Sequence, residues 1–114
     1  AIYNTPQEVL NLKPDLSLLS KLDRRGVVVT APDTSKGFDY VLRFFAPKNA
    51  VPEDPVTGNV QTELVPYWSD VLEKKRMNVR QLSPRGGVMV CENLGSRITI
   101  KGKCVRFFEG EITL

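Results

Sequence analysis

Between Val60 and Leu72 the chain places Val60, Leu64, Val65, Tyr67, Trp68, Val71 and Leu72 at helical spacing. They predict one helix over about Gly58 to Glu73 with little polar face, so it has to be central and buried. Pro66 falls inside that run and predicts a kink, at about 3 kcal/mol relative to alanine. The material to cover such a helix follows it. Asn78 to Leu82, Val88 to Glu92, Arg97 to Lys101 and Val105 to Glu109 read as strands, with Glu111 to Leu114 a further short candidate. Arg97-Ile98-Thr99-Ile100-Lys101 alternates strictly, which predicts one solvated face, and Asn93-Leu94-Gly95-Ser96 supplies a hairpin turn.

Upstream, residues 6 to 22 read as two helical pieces parted by Lys13-Pro14, with Pro6 and Pro14 suited to first-turn positions. Leu16, Leu19 and Leu22 share one face of the second piece, and Gly26 is its expected C-terminal cap. Val27 to Thr30 is a β-branched run that predicts a buried strand. Phe38 to Phe45 predicts a second, with Phe38, Tyr40, Leu42 and Phe44 on one face and Asp39, Val41, Arg43 and Phe45 on the other. Residues 46 to 57 are a Pro-rich loop. The expected fold is α+β, a curved and mostly antiparallel sheet wrapped around a central helix, in one domain over residues 1–114.

Composition excludes several functions. The chain has 114 residues and no histidine, which removes a Ser-His-Asp or Cys-His site and the usual zinc ligand. General acid-base chemistry then falls to Asp, Glu, Lys, Tyr, Cys or a partner's groups. No metal or cofactor is expected. Two cysteines make no disulfide framework, so a reducing, cytoplasmic setting is the expectation, with both thiols free and buried. The net charge of +3 is spread along the chain and no nucleic-acid motif accompanies it. No apolar run approaches the roughly 20 residues of a membrane span. Ala1-Ile2-Tyr3-Asn4 reads as the middle of a longer chain.

The chemistry-bearing stretch is Phe45-Ala46-Pro47-Lys48-Asn49-Ala50-Val51-Pro52-Glu53-Asp54-Pro55-Val56-Thr57-Gly58-Asn59. It leads from a strand into the apolar helix, whose first amides are unpaired and partly positive, a natural seat for a carboxylate or phosphate. Asp54 sits beside that seat, as a proton relay or simply as the acceptor of an Asx turn before Pro55. Glu53 is expected to be solvated or bonded locally. Gly58 lets backbone approach a ligand. Arg85, in Arg85-Gly86-Gly87, either binds a carboxylate bidentately or is a surface residue of a strand-entry turn. Tyr67 and Trp68 are expected in the core, and Glu63 either faces outward or flanks a cleft.

The stretch resembles a segment of the phenazine-biosynthesis PhzF-like family, of the form F-A-P-x-x-G-x-x-E-D-P-V-T-G-S-A-H. Further echoes are Pro66-Tyr67-Trp68, Gln81-Leu82-Ser83-Pro84-Arg85-Gly86-Gly87, Ile98-Thr99-Ile100-Lys101-Gly102 and Glu109-Gly110. The resemblance implies the C-terminal half of a two-half protein with a diaminopimelate-epimerase-like fold. It implies an isomerase that moves a proton between carbons of a small carboxylic acid, in a cleft between halves, with the main acid-base glutamate on the N-terminal half. This chain would then supply Asp54, the amides around Gly58 and Asn59, and the Asn59 side chain. Two positions depart from the pattern: Asn59 stands where the family has Ser, and Gln61 where it has His. Gln61 can bind a substrate group but cannot carry a proton near neutral pH. Neither Cys91 nor Cys104 lies at the helix start, where related epimerases place a cysteine. The partner expected is an N-terminal half or a second copy of this chain. The alternative is a binding module that kept the scaffold without the chemistry.

Overall fold

A computed structural model describes residues 1–33, 37–49 and 51–113. Two short helices open the chain, α1 (Pro6–Asn11) and α2 (Leu16–Ser20). Thr5 and Glu8 form a capping box on α1, with Pro6 in its first turn. Asp15, not Pro14, starts α2: its carboxylate accepts from the Leu18 amide. Lys21 ends α2, so Gly26 is no helix cap. Gly26 is instead a point of close approach, where a Cβ would stand 2.6 Å from the Phe44 ring and from the Phe45 carbonyl oxygen. Of the expected apolar face of α2, only Leu19 packs against a core; Leu16, Leu18 and Leu22 are exposed.

Strands β1 (Val27–Pro32), β2 (Tyr40–Phe45), β3 (Glu53–Asp54), β4 (Arg76–Gln81), β5 (Gly87–Asn93) and β6 (Ile98–Lys101) form one sheet in the order β1-β2-β4-β5-β6. All pairings are antiparallel except β2 with β4. On one edge of β2, β4 pairs Tyr40 to Leu42 and β3 pairs the last two residues, Asp54 with Phe44 and Glu53 with Phe45. The Pro-rich loop therefore contains a strand that the sequence pattern hides, because two residues are too few to show a period. Asn93 Oδ1 accepts from the Gly95 amide in the turn between β5 and β6, with Gly95 at φ 83°.

The single long helix, α3 (Gln61–Leu72), lies on one face of the sheet. Leu64, Val65 and Trp68 join Tyr40, Leu42, Met77, Val79, Met89 and Cys91 in one core. A second core fills the opposite face, where Val9 of α1 meets Val29, Ala31, Val41 and Phe45. The sheet is thus packed on both faces, and the side of α3 away from it, with Thr62, Glu63, Asp70 and Val71, is exposed. Trp68 is buried as expected, whereas Tyr67 stays partly exposed. The helix runs through Pro66 without a break.

Two expectations fail at the C-terminal end. No strand forms over Val105 to Glu109 or over residues 111–113, and Leu114 lies outside the described residues. A strand needs a neighbour to satisfy its amides and carbonyls. Beyond Lys101 the described segment has no neighbour, and Val105, Phe107, Phe108 and Ile112 are exposed. Cys104 is exposed with them, while Cys91 is buried. Burial pushes the Cys91 thiol up to about 11.

Candidate functional site

The loop between β2 and α3 is held by the short β2–β3 pairing and by side chains. Its first part closes on itself, with the Ala46 amide donating to the Pro52 carbonyl at 2.7 Å. Glu53 is not solvated: Arg43 grips it bidentately, Nε to Oε1 at 2.7 Å and Nη2 to Oε2 at 3.0 Å. The same guanidinium donates to the carbonyls of Val9, Leu10 and Leu12, so it also caps the end of α1.

Past Glu53 the backbone is fixed from inside. Gln81, at the end of β4, is fully buried. Its Nε2 donates to the Asp54 carbonyl at 2.6 Å and to Thr57 Oγ1 at 3.1 Å. Its Oε1 accepts from the Thr57 amide at 2.8 Å. Ser83 adds a hydroxyl bond to the Pro55 carbonyl at 2.7 Å and accepts from the Gly86 amide at 3.0 Å. From the other side, Gln61 Nε2 donates to the Thr57 carbonyl at 3.4 Å, while its Oε1 accepts from Tyr40 Oη at 2.6 Å. Burial raises the Tyr40 phenol far above its ordinary value, with charge at Cys91 and Asp39 adding to the effect, so it stays a donor.

These bonds place the sequence-nominated residues plainly. Asp54 accepts from the Val56 amide at 3.2 Å, which is the Asx turn, and its side chain is half-buried at the loop surface. Gln61 is fully buried with both ends of its carboxamide engaged, by Tyr40 and by the Thr57 carbonyl. Arg85 is exposed and makes no hydrogen bond or ion pair among the described residues. Its turn is tied to Asp54-Pro55 by Ser83, and Gly87 lies against Val56, whose Cγ2 a Cβ would meet at 2.3 Å. Asp54 and Arg85, 31 positions apart in sequence, thus belong to two stitched loops.

α3 begins at Gln61, three residues later than its apolar pattern predicts. Gly58, Asn59 and Val60 form the entering turn. Their carbonyls accept from the Gln61, Thr62 and Glu63 amides at 3.0, 3.1 and 3.2 Å. Val60 provides no side-chain cap. Among the described residues, none accepts a hydrogen bond from the amides of Gly58, Asn59 or Val60. Gly58 and Asn59 are exposed. An open groove of about 350 Å³ reaches this point, lined by Arg24, Arg25, Phe44, Asn59, Val60 and Glu63 among others. Three open donors, the helix dipole and the Arg24 and Arg25 side chains of the groove favour negative charge there, against the Glu63 carboxylate on the same lining. Arg24 and Arg25 escaped the sequence reading because they resemble ordinary charges after a helix. Gln81 escaped because a strand-end glutamine carries no signal of its own.

The phenazine biosynthesis-like protein family model (PhzC-PhzF) matches residues 3–110. The chain belongs to this family. Its sequence is 41% identical over 113 residues to an uncharacterized isomerase of Pseudomonas aeruginosa, covering 99% of this chain and 42% of that protein. It is 39% identical over 94 residues to a phenazine biosynthesis-like domain-containing protein of rat, covering 78% and 33% respectively. The crystal structure of a PhzC/PhzF protein from Clostridium difficile superposes with a TM-score of 0.85 at 42% identity, over 99% of this chain and 43% of that one. A PhzF-family structure from Enterococcus faecalis gives 0.80 at 37% identity, over 90% and 41%. These likenesses confirm the mixed α+β fold and the PhzC-PhzF family. The chain spans about two fifths of the length of three of the bacterial relatives it matches. No helix among the described residues is long and apolar enough to cross a membrane.

Proposed function

We propose that this chain is the C-terminal half of a PhzF-like isomerase that moves a proton on a small carboxylic acid, in a cleft shared with an N-terminal half. The observation that carries the reading is the row of open amides at Gly58, Asn59 and Val60 beside Asp54. The amides take the substrate carboxylate or stabilise negative charge that develops next to it, and the Asn59 carboxamide is at hand as a further donor. Asp54 accepts or returns a proton from its place on the same loop. Arg85, on the stitched turn, offers a second carboxylate contact. Gly58 itself supports a ligand role, because the fold does not need it. A Cβ there would find only Ile100 Cδ1, 3.8 Å away.

The need for a second half is supported by the share of its relatives that the chain spans and by the exposed Val105, Phe107, Phe108 and Ile112. An apolar strip of that kind is covered in a finished molecule. A cytoplasmic, reducing setting belongs to the same proposal, with Cys91 and Cys104 as free thiols. The test is deuterium wash-in from D2O into a panel of small unsaturated and α-amino carboxylic acids, read by proton NMR on the protein joined to its N-terminal half. Label at one carbon of one acid supports the isomerase. No uptake across the panel, with saturable binding retained, favours the binding module instead.

The same uncovered strip favours a second reading, a homodimer in which a second copy covers it. Sedimentation decides this: a monomeric mass at high protein concentration ends the homodimer.

A further inference from the structure

The buried carboxamide of Gln81 makes three hydrogen bonds to the loop that carries the anion seat and none to its own strand neighbours. We propose that Gln81 is a positioning residue: it sets the Asp54 carboxylate and the Gly58–Val60 amides in one register by clamping the peptide between them, without touching a ligand. This rests on the anion-seat reading above.

The geometry supports a clamp rather than general packing. Asp54 and Thr57 bracket the segment, and Gln81 holds the carbonyl of one and the amide of the other. Between them lies Pro55, which has no N–H and cannot hold the loop itself. The turn after Thr57 is held internally, by the Gly58, Asn59 and Val60 carbonyls accepting from the Gln61, Thr62 and Glu63 amides, and Gln81 anchors it through the Thr57 amide to the end of β4 and to Asp54. Gln61 grips Thr57 only through its carbonyl, and at the longer distance of 3.4 Å. By consuming the Thr57 amide, Gln81 also determines where the row of open donors starts. Without it, the buried Thr57 amide and the half-buried Asp54 carbonyl lose this partner, and the loop must move to recover one.

The probe is benzoate, titrated into the ¹⁵N-labelled full chain while the amide signals of Gly58, Asn59 and Val60 are followed. Gln81→Glu keeps the length and the acceptor for the Thr57 amide but has no N–H for the Asp54 carbonyl. Gln81→Leu removes both. Val9→Ala, in the core on the opposite face, is the destabilised control. The wild type is expected to bind saturably at those three amides. Folded Gln81→Leu is expected to bind roughly tenfold more weakly or worse, a loss equivalent to one hydrogen bond of positioning, with fast hydrogen exchange at the Thr57 amide. Gln81→Glu is expected to retain Thr57 protection yet still lose affinity, and it decides the question if the leucine variant does not fold. Val9→Ala is expected to bind as the wild type does, whatever its melting temperature. Unchanged affinity in folded Gln81→Glu overturns the clamp and leaves the seat standing. A wild type whose Gly58–Val60 signals do not move overturns the seat, and the clamp with it.

Discussion

Replacing Arg43 by methionine is expected to be among the most damaging single changes in this chain, and the structure shows why. The guanidinium is in contact with Glu53 through two parallel bonds at 2.7 and 3.0 Å, and the two side chains are only 11% and 19% exposed. It also serves the carbonyls of Val9, Leu10 and Leu12 and lies 4.8 Å over the Phe45 ring. Arg43→Met fills similar volume but leaves the Glu53 charge unpaired in a mostly dry place and the Leu10 and Leu12 carbonyls without their donor, while the Val9 carbonyl keeps only the Leu12 amide. Breaking one side of a buried pair costs roughly 3–5 kcal/mol. Glu53→Gln is milder, because an uncharged acceptor of the same shape remains and Arg43 keeps its carbonyl partners. Losing the charge from that hydrogen bond costs about 1–2 kcal/mol.

The double variant discriminates the cause. With both charges gone, no orphan carboxylate remains. Arg43→Met/Glu53→Gln is therefore expected to be less destabilised than the two single losses added together, by about 1–3 kcal/mol. Urea unfolding of the four proteins at pH 7 measures this, provided the slope with denaturant stays constant across the set. Strict additivity, within roughly 0.5 kcal/mol, would refute the claim that the pair acts as a unit. Because Glu53 pairs with Phe45 next to Asp54, amide exchange along residues 53–57 is expected to accelerate in Arg43→Met before the rest of the sheet loosens.

Gly58→Ala is expected to leave stability unchanged or raise it by about 0.4–1 kcal/mol, since the methyl makes only an ordinary contact with Ile100 Cδ1 at 3.8 Å, while weakening carboxylate binding at the adjoining amides. Thermal melting alongside a benzoate titration checks it, and a destabilised protein with intact binding would reverse the reading. Glu73, which ends α3 with φ 52°, is in a conformation that glycine adopts without penalty, so Glu73→Gly is expected to gain about 1 kcal/mol in a urea melt. A disulfide reagent at pH 8 is expected to label exposed Cys104 quickly and buried Cys91 only on unfolding, with peptide mapping as the readout. The raised Cys91 thiol also fixes a sign. The unfolded chain loses this proton near pH 9 and the folded chain near 11, so its contribution to stability is complete below pH 9 and disappears as pH climbs toward 11. Cys91→Ala is expected to flatten that alkaline loss in pH-dependent melts.

Much of this protein is determined locally and could be read in the chain. The period of Leu64, Val65 and Trp68 dictates a helix, and the two-residue alternation from Tyr40 to Phe45 assigns Tyr40 and Leu42 to one core and Val41 and Phe45 to the other. Asn93 to Ser96 specifies its hairpin by turn chemistry alone. The Glu53-to-Gly58 motif, with its echoes downstream, was enough to point to the family. Tertiary structure decided what depends on partners remote in sequence. Whether Val105 to Glu109 becomes a strand depends on a neighbour to bond it, which alternation cannot supply. Whether Glu53 is solvated depends on Arg43, ten positions away across a loop. Gln61 has the right position for a site residue by sequence, yet Tyr40 and Thr57 draw its carboxamide into the core. Gln81 opens one of the family echoes but nothing in the sequence gives its role; its burial under Thr57 makes it the strut of the loop. A period records which way a side chain points. Only the folded chain records what it meets there, because a buried polar group is bound to whichever partner the tertiary contact delivers.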